Sequence, residues 1–100
     1  MIKVIIEQND KIYKKISILG HAMYDEYGKD IVCAAASSIA TTTINGILLL
    51  NKDSLSYDVS EKGLEIIINS DDNNTQILIT NMINLFKELE EKYPTNIEVK

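Results

Sequence analysis

The sequence predicts an α+β domain in which two helices pack on an antiparallel or mixed sheet. Two pairs of segments carry apolar residues at alternate positions, which is the pattern of β-hairpins. A long uncharged stretch separates the two pairs, and an apolar stripe at helical spacing follows the second pair. The expected order is ββαββα with an optional short final strand, in a single domain spanning residues 1–100.

The first hairpin is expected at about residues 2–7 and 11–19, because isoleucine and valine alternate with more polar residues along both segments. Gln8-Asn9-Asp10 supplies turn-forming residues between them. Residues 20–30 then form a loop with a glycine at its start and another near its end. That spacing suits a segment able to change shape, although glycines serve fixed turns equally well.

The first helix is expected in the run IVCAAASSIATTTINGILLL, which follows Asp30 directly. The run is too long for a strand, and its alanine-rich first half favours a helix. Three consecutive threonines are weak helix formers, so tertiary packing must hold this element together. Because residues 31–50 carry no charge, we expect a central helix that is buried on most sides.

The second hairpin gives the clearest strand pattern, since apolar residues alternate on both sides of the turn Glu61-Lys62-Gly63. The second helix is expected to open at Asp71-Asp72-Asn73-Asn74, where Asn73 and Gln76 resemble a capping box. Its apolar stripe runs to Tyr93, and Pro94 ends it. The last few residues are compatible with a short closing strand.

Composition limits the classes of function. The chain is 45% hydrophobic and 25% charged with a net charge of -5, as in soluble globular proteins, and this charge argues against direct nucleic-acid binding. One cysteine and one histidine are too few for a disulfide or a structural zinc site, so neither metal nor cofactor is expected. No uninterrupted apolar run reaches about 18 residues, so no membrane span is expected, and a reducing cytoplasm is the simplest location.

The residues that carry chemistry lie close together in GHAMYDEYGKDIVCAAAS, residues 20–37. If Asp30 caps the first helix, Cys33 lies in its first turn, where unpaired amides and the helix dipole favour a thiolate. A thiolate nucleophile needs a base within reach, and His21 is the only imidazole. The residues alone leave a second interpretation open, in which Cys33 is a small buried side chain and His21 an exposed turn residue.

This stretch closely resembles the signature of the ribosomal-processing cysteine proteases called Prp. The signature is a Gly-His pair, a short variable loop, and then Gly-x-Asp-[hydrophobic]-Val-Cys-Ala-Ala-x-Ser. The residues that match it are Gly20, His21, Gly28, Asp30, Ile31, Val32, Cys33, Ala34, Ala35 and Ser37. Ala36 departs from the pattern, because relatives often carry a larger β-branched residue there, and this difference concerns packing beneath the helix start.

The resemblance implies that Cys33 is the nucleophile and that His21 is its general base and acid. It also implies a substrate, the N-terminal extension of the bacterial large-subunit ribosomal protein that reaches toward the peptidyl-transferase centre. The family is homodimeric, and the loop after its catalytic histidine folds over bound substrate. The residues of that substrate loop here are Gly20, Ala22, Tyr24, Tyr27 and Gly28.

Two residues are candidates for a supporting role. Asp30 can orient His21, can cap the helix, or can do both. Ser37 lies one helical turn after Cys33, where its hydroxyl can bond the thiol or a substrate, or can bond back to the Cys33 carbonyl.

The substrate loop and the helix start also allow alternatives. Tyr24 and Tyr27 can close over an apolar substrate side chain and exclude water, or they can cap the edge of the core. The charged pair Asp25-Glu26 can meet a basic substrate, although solvation is its simpler role. The backbone amides of Val32 and Cys33 are candidate oxyanion donors.

Two other classes of function compete with the protease. A non-catalytic module for ribosome assembly or ribosomal-protein binding would use the acidic surface to hold a basic client without shortening it. A thiol redox sensor would need an accessible thiolate at Cys33 but would not need His21. The match at both positions favours the protease.

Overall fold

A computed structural model describes residues 1–26 and 28–100 of the chain. The described residues form β1 (Ile2–Asn9), β2 (Ile12–Leu19), α1 (Ile31–Leu50), β3 (Leu55–Ser60), β4 (Gly63–Ile68), α2 (Asn73–Lys92) and β5 (Ile97–Val99). The predicted order ββαββα is confirmed, and the optional closing strand is present.

The strands form one sheet in the order β3-β4-β2-β1-β5. All neighbouring strands are antiparallel except β5, which runs parallel to β1, so the sheet is mixed. The pairing of β5 with β1 brings the turn after α2 to the end of the sheet where β2 finishes. The last residue of this turn is Asn96, and its backbone carbonyl accepts a hydrogen bond from the Ile2 N–H at 2.9 Å.

The first hairpin turns later than predicted. Pairing continues to Asn9, which lies opposite Ile12, so the turn consists of Asp10 and Lys11 alone. Both have positive φ, 51° and 67°, as in the two-residue turns that match the twist of a hairpin. The polar residues before the turn pair through their backbones, which a hydropathy pattern does not reveal.

One face of the sheet carries the core. The buried strand residues on this face are Ile2, Val4, Ile16, Leu55, Ile66, Ile68 and Ile97. The buried apolar residues of α2 are Ile79, Met82, Ile83 and Phe86. Together with α1 they form one cluster, so both helices lie on the same side of the sheet.

α1 is less buried than its uncharged sequence predicts. Its buried residues form one stripe, at Val32, Ala36, Ala40, Ile44 and Ile47. Thr41 and Thr42 are exposed, and Leu49 is 88% exposed at the end of the helix. The expectation of burial on most sides is therefore wrong, because alanine and hydroxyl residues lack charge but tolerate water.

By length and composition α1 could cross a membrane, yet here its buried stripe packs in the core.

α2 is capped differently from the prediction. Asp72 is the N-cap, and its carboxylate accepts hydrogen bonds from two first-turn amides and from the Thr75 hydroxyl, the last at 2.7 Å. The predicted capping box between Asn73 and Gln76 is wrong. The Gln76 amide instead accepts from the Tyr13 N–H at 2.8 Å and donates to the Tyr13 carbonyl at 3.1 Å, which joins the first hairpin to α2.

Candidate active site

The fold brings His21 and Cys33 to the same place. β2 ends just before His21, and the following loop returns the chain so that α1 starts beside the end of that strand. Both residues line each of two adjacent clefts in the surface, His21 with an exposed side chain and Cys33 half-buried. The two candidate residues therefore share one site, at the junction of the clefts.

The Cys33 sulfur accepts a hydrogen bond from the backbone of the histidine loop. The donor is the Ala22 N–H, at 3.3 Å from Sγ. Ala22 is fully buried, so its N–H approaches the sulfur from the protein interior rather than from the exposed part of the loop. Among residues 1–26 and 28–100, the Ala22 N–H donates a hydrogen bond to the sulfur, and the His21 ring does not.

Asp30 joins the loop to the start of α1. Its Oδ1 accepts from the Val32 and Cys33 N–H groups, both at 3.0 Å, as expected of an N-cap. Its Oδ2 accepts from the Tyr24 N–H at 2.9 Å and the Asp25 N–H at 3.3 Å. Partial removal from water raises the pKa of Asp30, but the four N–H groups, led by that of Cys33, outweigh this effect and hold the pKa below its ordinary value.

This arrangement corrects the prediction of the oxyanion donors. The Val32 and Cys33 amides already donate to Asp30, so they do not point toward a substrate carbonyl. The amide that faces the Cys33 sulfur is that of Ala22. In the described part of the chain Asp30 makes no hydrogen bond to His21, so the contacts place it as a cap and a loop anchor.

The first cleft has a volume of about 390 Å³ and lies between α1 and the sheet. Its apolar lining consists of Ile2, Ile18, Ala36, Ala40, Ile44, Val59 and Leu64. Ser37 also lines it, exposed and one turn after Cys33. No hydrogen bond joins the Ser37 hydroxyl to the thiol or to the Cys33 carbonyl among the residues that the structure describes, so this hydroxyl is available to the cleft.

The second cleft has a volume of about 560 Å³ and lies under the histidine loop. Besides His21 and Cys33 it is lined by Met23, Asp25, Gly28, Asp30 and Ala34. Two carboxylates make this side acidic, whereas the first cleft is mainly apolar. Across residues 1–26 and 28–100, no group of three or more His, Cys, Asp or Glu side chains is arranged to hold a metal ion.

The predicted substrate-loop residues have different surroundings. Gly20 has φ +84°, and a Cβ there would lie 2.5 Å from the Met1 carbonyl oxygen, so glycine is required just before His21. Tyr24 is 47% exposed and packs edge-on against Tyr93 with ring centroids 5.3 Å apart, the contact expected if it caps the core edge. Tyr27, also predicted for this loop, lies outside the described residues.

Sequence reasoning missed a residue that touches the histidine loop. The Asn96 Nδ2 donates to the Ala22 carbonyl at 2.9 Å. Asn96 is remote from the loop in sequence and belongs to no motif, so only the parallel pairing of β5 with β1 reveals the contact.

Comparison with known proteins identifies the family. The family model for cysteine protease Prp matches residues 1–98. The chain belongs to the Prp family of cysteine proteases. It is 34% identical to the ribosomal processing cysteine protease Prp of Staphylococcus aureus, over 99% of this chain and 97% of that protein. It is 26% identical to the Prp of Bacillus subtilis, over 99% and 96% of the two chains.

Solved Prp structures share the whole fold. The S. aureus Prp crystal structure in complex with a covalently linked product peptide superimposes with a TM-score of 0.93 at 30% identity, over 100% of this chain and 98% of that one. The crystal structure of the same enzyme with a substrate peptide gives a TM-score of 0.85 over the same shares. The α+β fold is confirmed. The prediction of an enzyme is also confirmed, since Prp proteins are cysteine proteases and therefore hydrolases.

Proposed function

We propose that this chain is a ribosomal-processing cysteine endopeptidase in which Cys33 is the nucleophile and His21 the general base and acid. The observation that carries the proposal is the position of both residues at the junction of two clefts, with a backbone N–H directed at the sulfur. The covalently linked product peptide in the S. aureus relative supports a covalent route.

The chemistry follows from these groups. His21 takes the thiol proton, and the Cys33 sulfur attacks the scissile carbonyl and forms a C–S bond. As the C–N bond breaks, the imidazolium gives its proton to the leaving amine. His21 then removes a proton from water, and the resulting hydroxide attacks the thioester, so the C–S bond breaks and the acid product leaves. The imidazolium returns its proton to the Cys33 sulfur, which restores the starting enzyme.

The substrate that we propose is the N-terminal extension of a large-subunit ribosomal protein, the one that reaches toward the peptidyl-transferase centre. The names of the S. aureus and B. subtilis relatives, ribosomal processing proteases, support this assignment. The two clefts suit a peptide whose apolar side chains enter the first and whose basic side chains approach Asp25 and Asp30 in the second. This substrate places the enzyme in the cytoplasm, where ribosomes mature.

The neighbouring residues support the reaction from fixed positions. Asp30 holds the start of α1 and the histidine loop in one geometry through four backbone bonds. Ser37 offers a hydroxyl to peptide in the apolar cleft. Gly20 and Gly28, both with positive φ, bound the loop that we propose closes over the substrate together with Tyr24.

The decisive experiment is cleavage of the extended precursor protein by the purified enzyme, followed by mass spectrometry. We expect wild type to release the extension, and Cys33→Ala and His21→Ala to lower the rate at least about a hundredfold, because each removes a reacting group. Ser38→Ala is a matched control, since Ser38 is exposed on the same helix and lines neither cleft.

Two results would contradict the proposal. Precursor cleavage by Cys33→Ala at the wild-type rate would remove Cys33 from the reaction. Tight binding of the precursor by wild type without any shortening would point instead to the non-catalytic alternative for this substrate.

The enzyme is proposed to act as a homodimer. The resemblance to the family implies this assembly, and the chain has apolar surface to supply it. Leu49 and Leu50 at the end of α1 are 88% and 66% exposed, and Val59 on the edge strand β3 is 71% exposed.

A further inference from the structure

The backbone of Ala22 is held on both sides of its Cα. Its N–H donates to the Cys33 sulfur at 3.3 Å, and its carbonyl accepts from the Asn96 side-chain amide at 2.9 Å. Ala22 has no exposed surface, so water does not compete for either bond. Two consecutive peptide units, joined at the Ala22 Cα, therefore connect Asn96 to the sulfur.

Asn96 is itself fixed by the sheet. Its N–H donates to the Tyr93 carbonyl at 2.9 Å, and its carbonyl accepts from the Ile2 N–H at 2.9 Å. The next residue, Ile97, is fully buried and opens β5 opposite Ile2. The Asn96 side chain is therefore a donor projected from a rigid part of the fold.

The loop that contains Ala22 lacks such support of its own. The residues just after β2 belong to neither helix nor strand, and Met23 has a positive φ of 57°. The two peptide units that flank Ala22 in such a segment can rotate about its φ and ψ unless a polar group of each unit is held. The Asn96 bond removes that freedom at Ala22, directly after His21.

We propose that Asn96 is a positioning residue of this protease, which holds the Ala22 carbonyl and thereby keeps the Ala22 N–H directed at the Cys33 sulfur. The inference rests on the proposed role of Cys33 as the nucleophile. A hydrogen bond to an ionised acceptor is about twice as strong as one between neutral groups, so an N–H fixed on the sulfur favours the thiolate over the thiol.

Asn96 lines neither cleft, so it acts on the sulfur and not on the bound peptide. Its removal should slow the chemical step and leave substrate binding unchanged. A residue that merely stabilised the fold would lower the melting temperature without moving the reactivity of the thiol.

The test is the rate of Cys33 alkylation by iodoacetamide between about pH 5 and pH 9 in wild type, Asn96→Ala and Asn96→Asp. We expect the midpoint of the profile to rise by about one pH unit in both variants, and the rate at neutral pH to fall about tenfold, since one unit corresponds to a factor of ten. Asn96→Asp keeps the size of the side chain but places a carboxylate oxygen against the Ala22 carbonyl. Asn96 is partly exposed, so neither substitution disrupts the core.

The other ionisable groups around the sulfur are the same in wild type, Asn96→Ala and Gln76→Ala, whereas Asn96→Asp adds a carboxylate. His21 follows β2, Asp25 and Asp30 lie in the loop, and Tyr57 on β3 lines the apolar cleft. A shift in Asn96→Ala that is absent from Gln76→Ala is therefore due to the hydrogen bonds that connect Asn96 to the sulfur.

Gln76→Ala is the matched control. Gln76 is also a side-chain amide that bonds the backbone of a distant segment, at Tyr13, but it is not connected to Cys33. We expect this variant to lower the melting temperature while its alkylation profile stays at wild type. With precursor as substrate, Asn96→Ala should lower kcat about tenfold with KM unchanged, as expected for an interaction made with the nucleophile.

An alkylation profile of folded Asn96→Ala that coincides with wild type overturns the proposal, even if Asn96→Asp shifts, as does an equal shift in Gln76→Ala. These outcomes are read on the sulfur without substrate, so they are distinct from failure of the proposed function, which is precursor cleavage by Cys33→Ala.

Discussion

Asp30 fixes the local geometry of the site through both oxygens of its carboxylate. One oxygen of its carboxylate caps α1 while the other holds the loop that follows His21. The sequence predicts the cap, because an aspartate before an uncharged run is a frequent helix start. The second set of bonds was not predictable, since it depends on the path of a loop without periodicity.

Substitution of Asp30 should show a pH dependence with a definite sign. The folded pKa is lowered, so the ionised carboxylate stabilises the fold above the unfolded value of about 3.9, and this contribution is lost as the pH falls through the folded value. We expect Asp30→Asn to keep the cap but lose the loop bonds, because the second oxygen becomes an NH₂ group. Its melting temperature should lie below that of wild type at neutral pH, and the difference should shrink below about pH 4.

Thermal unfolding of both proteins from neutral to acid pH measures this difference. Asp58→Asn serves as the control, because Asp58 is exposed on β3 and its side chain makes no hydrogen bond among the described residues. A difference between wild type and Asp30→Asn that stayed constant down to the lowest pH would show that the charge of Asp30 is not involved.

At the scale of elements, local patterns predict the existence of each helix and strand better than their ends. Alternation identified both hairpins, and helical spacing identified α2, because these patterns follow from the geometry of one element. The sequence places the first turn and the start of α2 in the correct segments, but it does not single out Asp10-Lys11 as the turn or Asp72 as the cap, since neighbouring polar residues offer several equivalent choices. Gln76 was assigned to a cap because its true partner, Tyr13, lies in another element.

Two glycines in different elements should respond oppositely to alanine. Gly46 lies within α1, and a Cβ there would meet nothing within 4 Å, so Gly46→Ala should stabilise the protein by about 0.5–1 kcal/mol through helix propensity. Gly63 starts β4 with φ +137°, and a Cβ there would collide with the Ile18 carbonyl, so Gly63→Ala should destabilise by about 1–3 kcal/mol or more.

Urea unfolding at 25 °C measures both free energies of unfolding in the same assay. Because Gly63 and Ile18 also line the apolar cleft, we expect the Gly63 variant to lose activity along with stability. Equal effects of the two substitutions would mean that the backbone of Gly63 relaxes without strain.

The whole molecule shows where sequence reasoning ends. The order of elements and the pair His21 and Cys33 follow from local patterns together with a family signature that spans one segment. The contact of Asn96 with Ala22 depends instead on β5 crossing to the edge beside β1, a pairing between the two ends of the chain. Local sequence carries no information on such a pairing. It also does not reveal which fraction of α1 is exposed to water.

The exposed end of α1 gives the last prediction, which concerns assembly. Leu49 and Leu50 lie on the surface of a fold whose core is already complete, and large exposed apolar side chains mark interfaces. We expect the wild-type protein to have twice the 11.3 kDa mass of one chain in light scattering coupled to size exclusion. Burial of a leucine contributes about 1.5–3 kcal/mol, so the double variant Leu49→Lys/Leu50→Lys should weaken association at least tenfold.

Ile77→Lys is the matched control for this measurement, because Ile77 is 54% exposed on α2 and lies on the other helix. It should leave the mass unchanged, and both variants should still unfold cooperatively, since neither changes a residue buried within one chain. A wild-type mass of a single chain at every concentration would exclude the dimer. Dissociation by Ile77→Lys but not by the leucine double variant would move the interface from the end of α1 to α2.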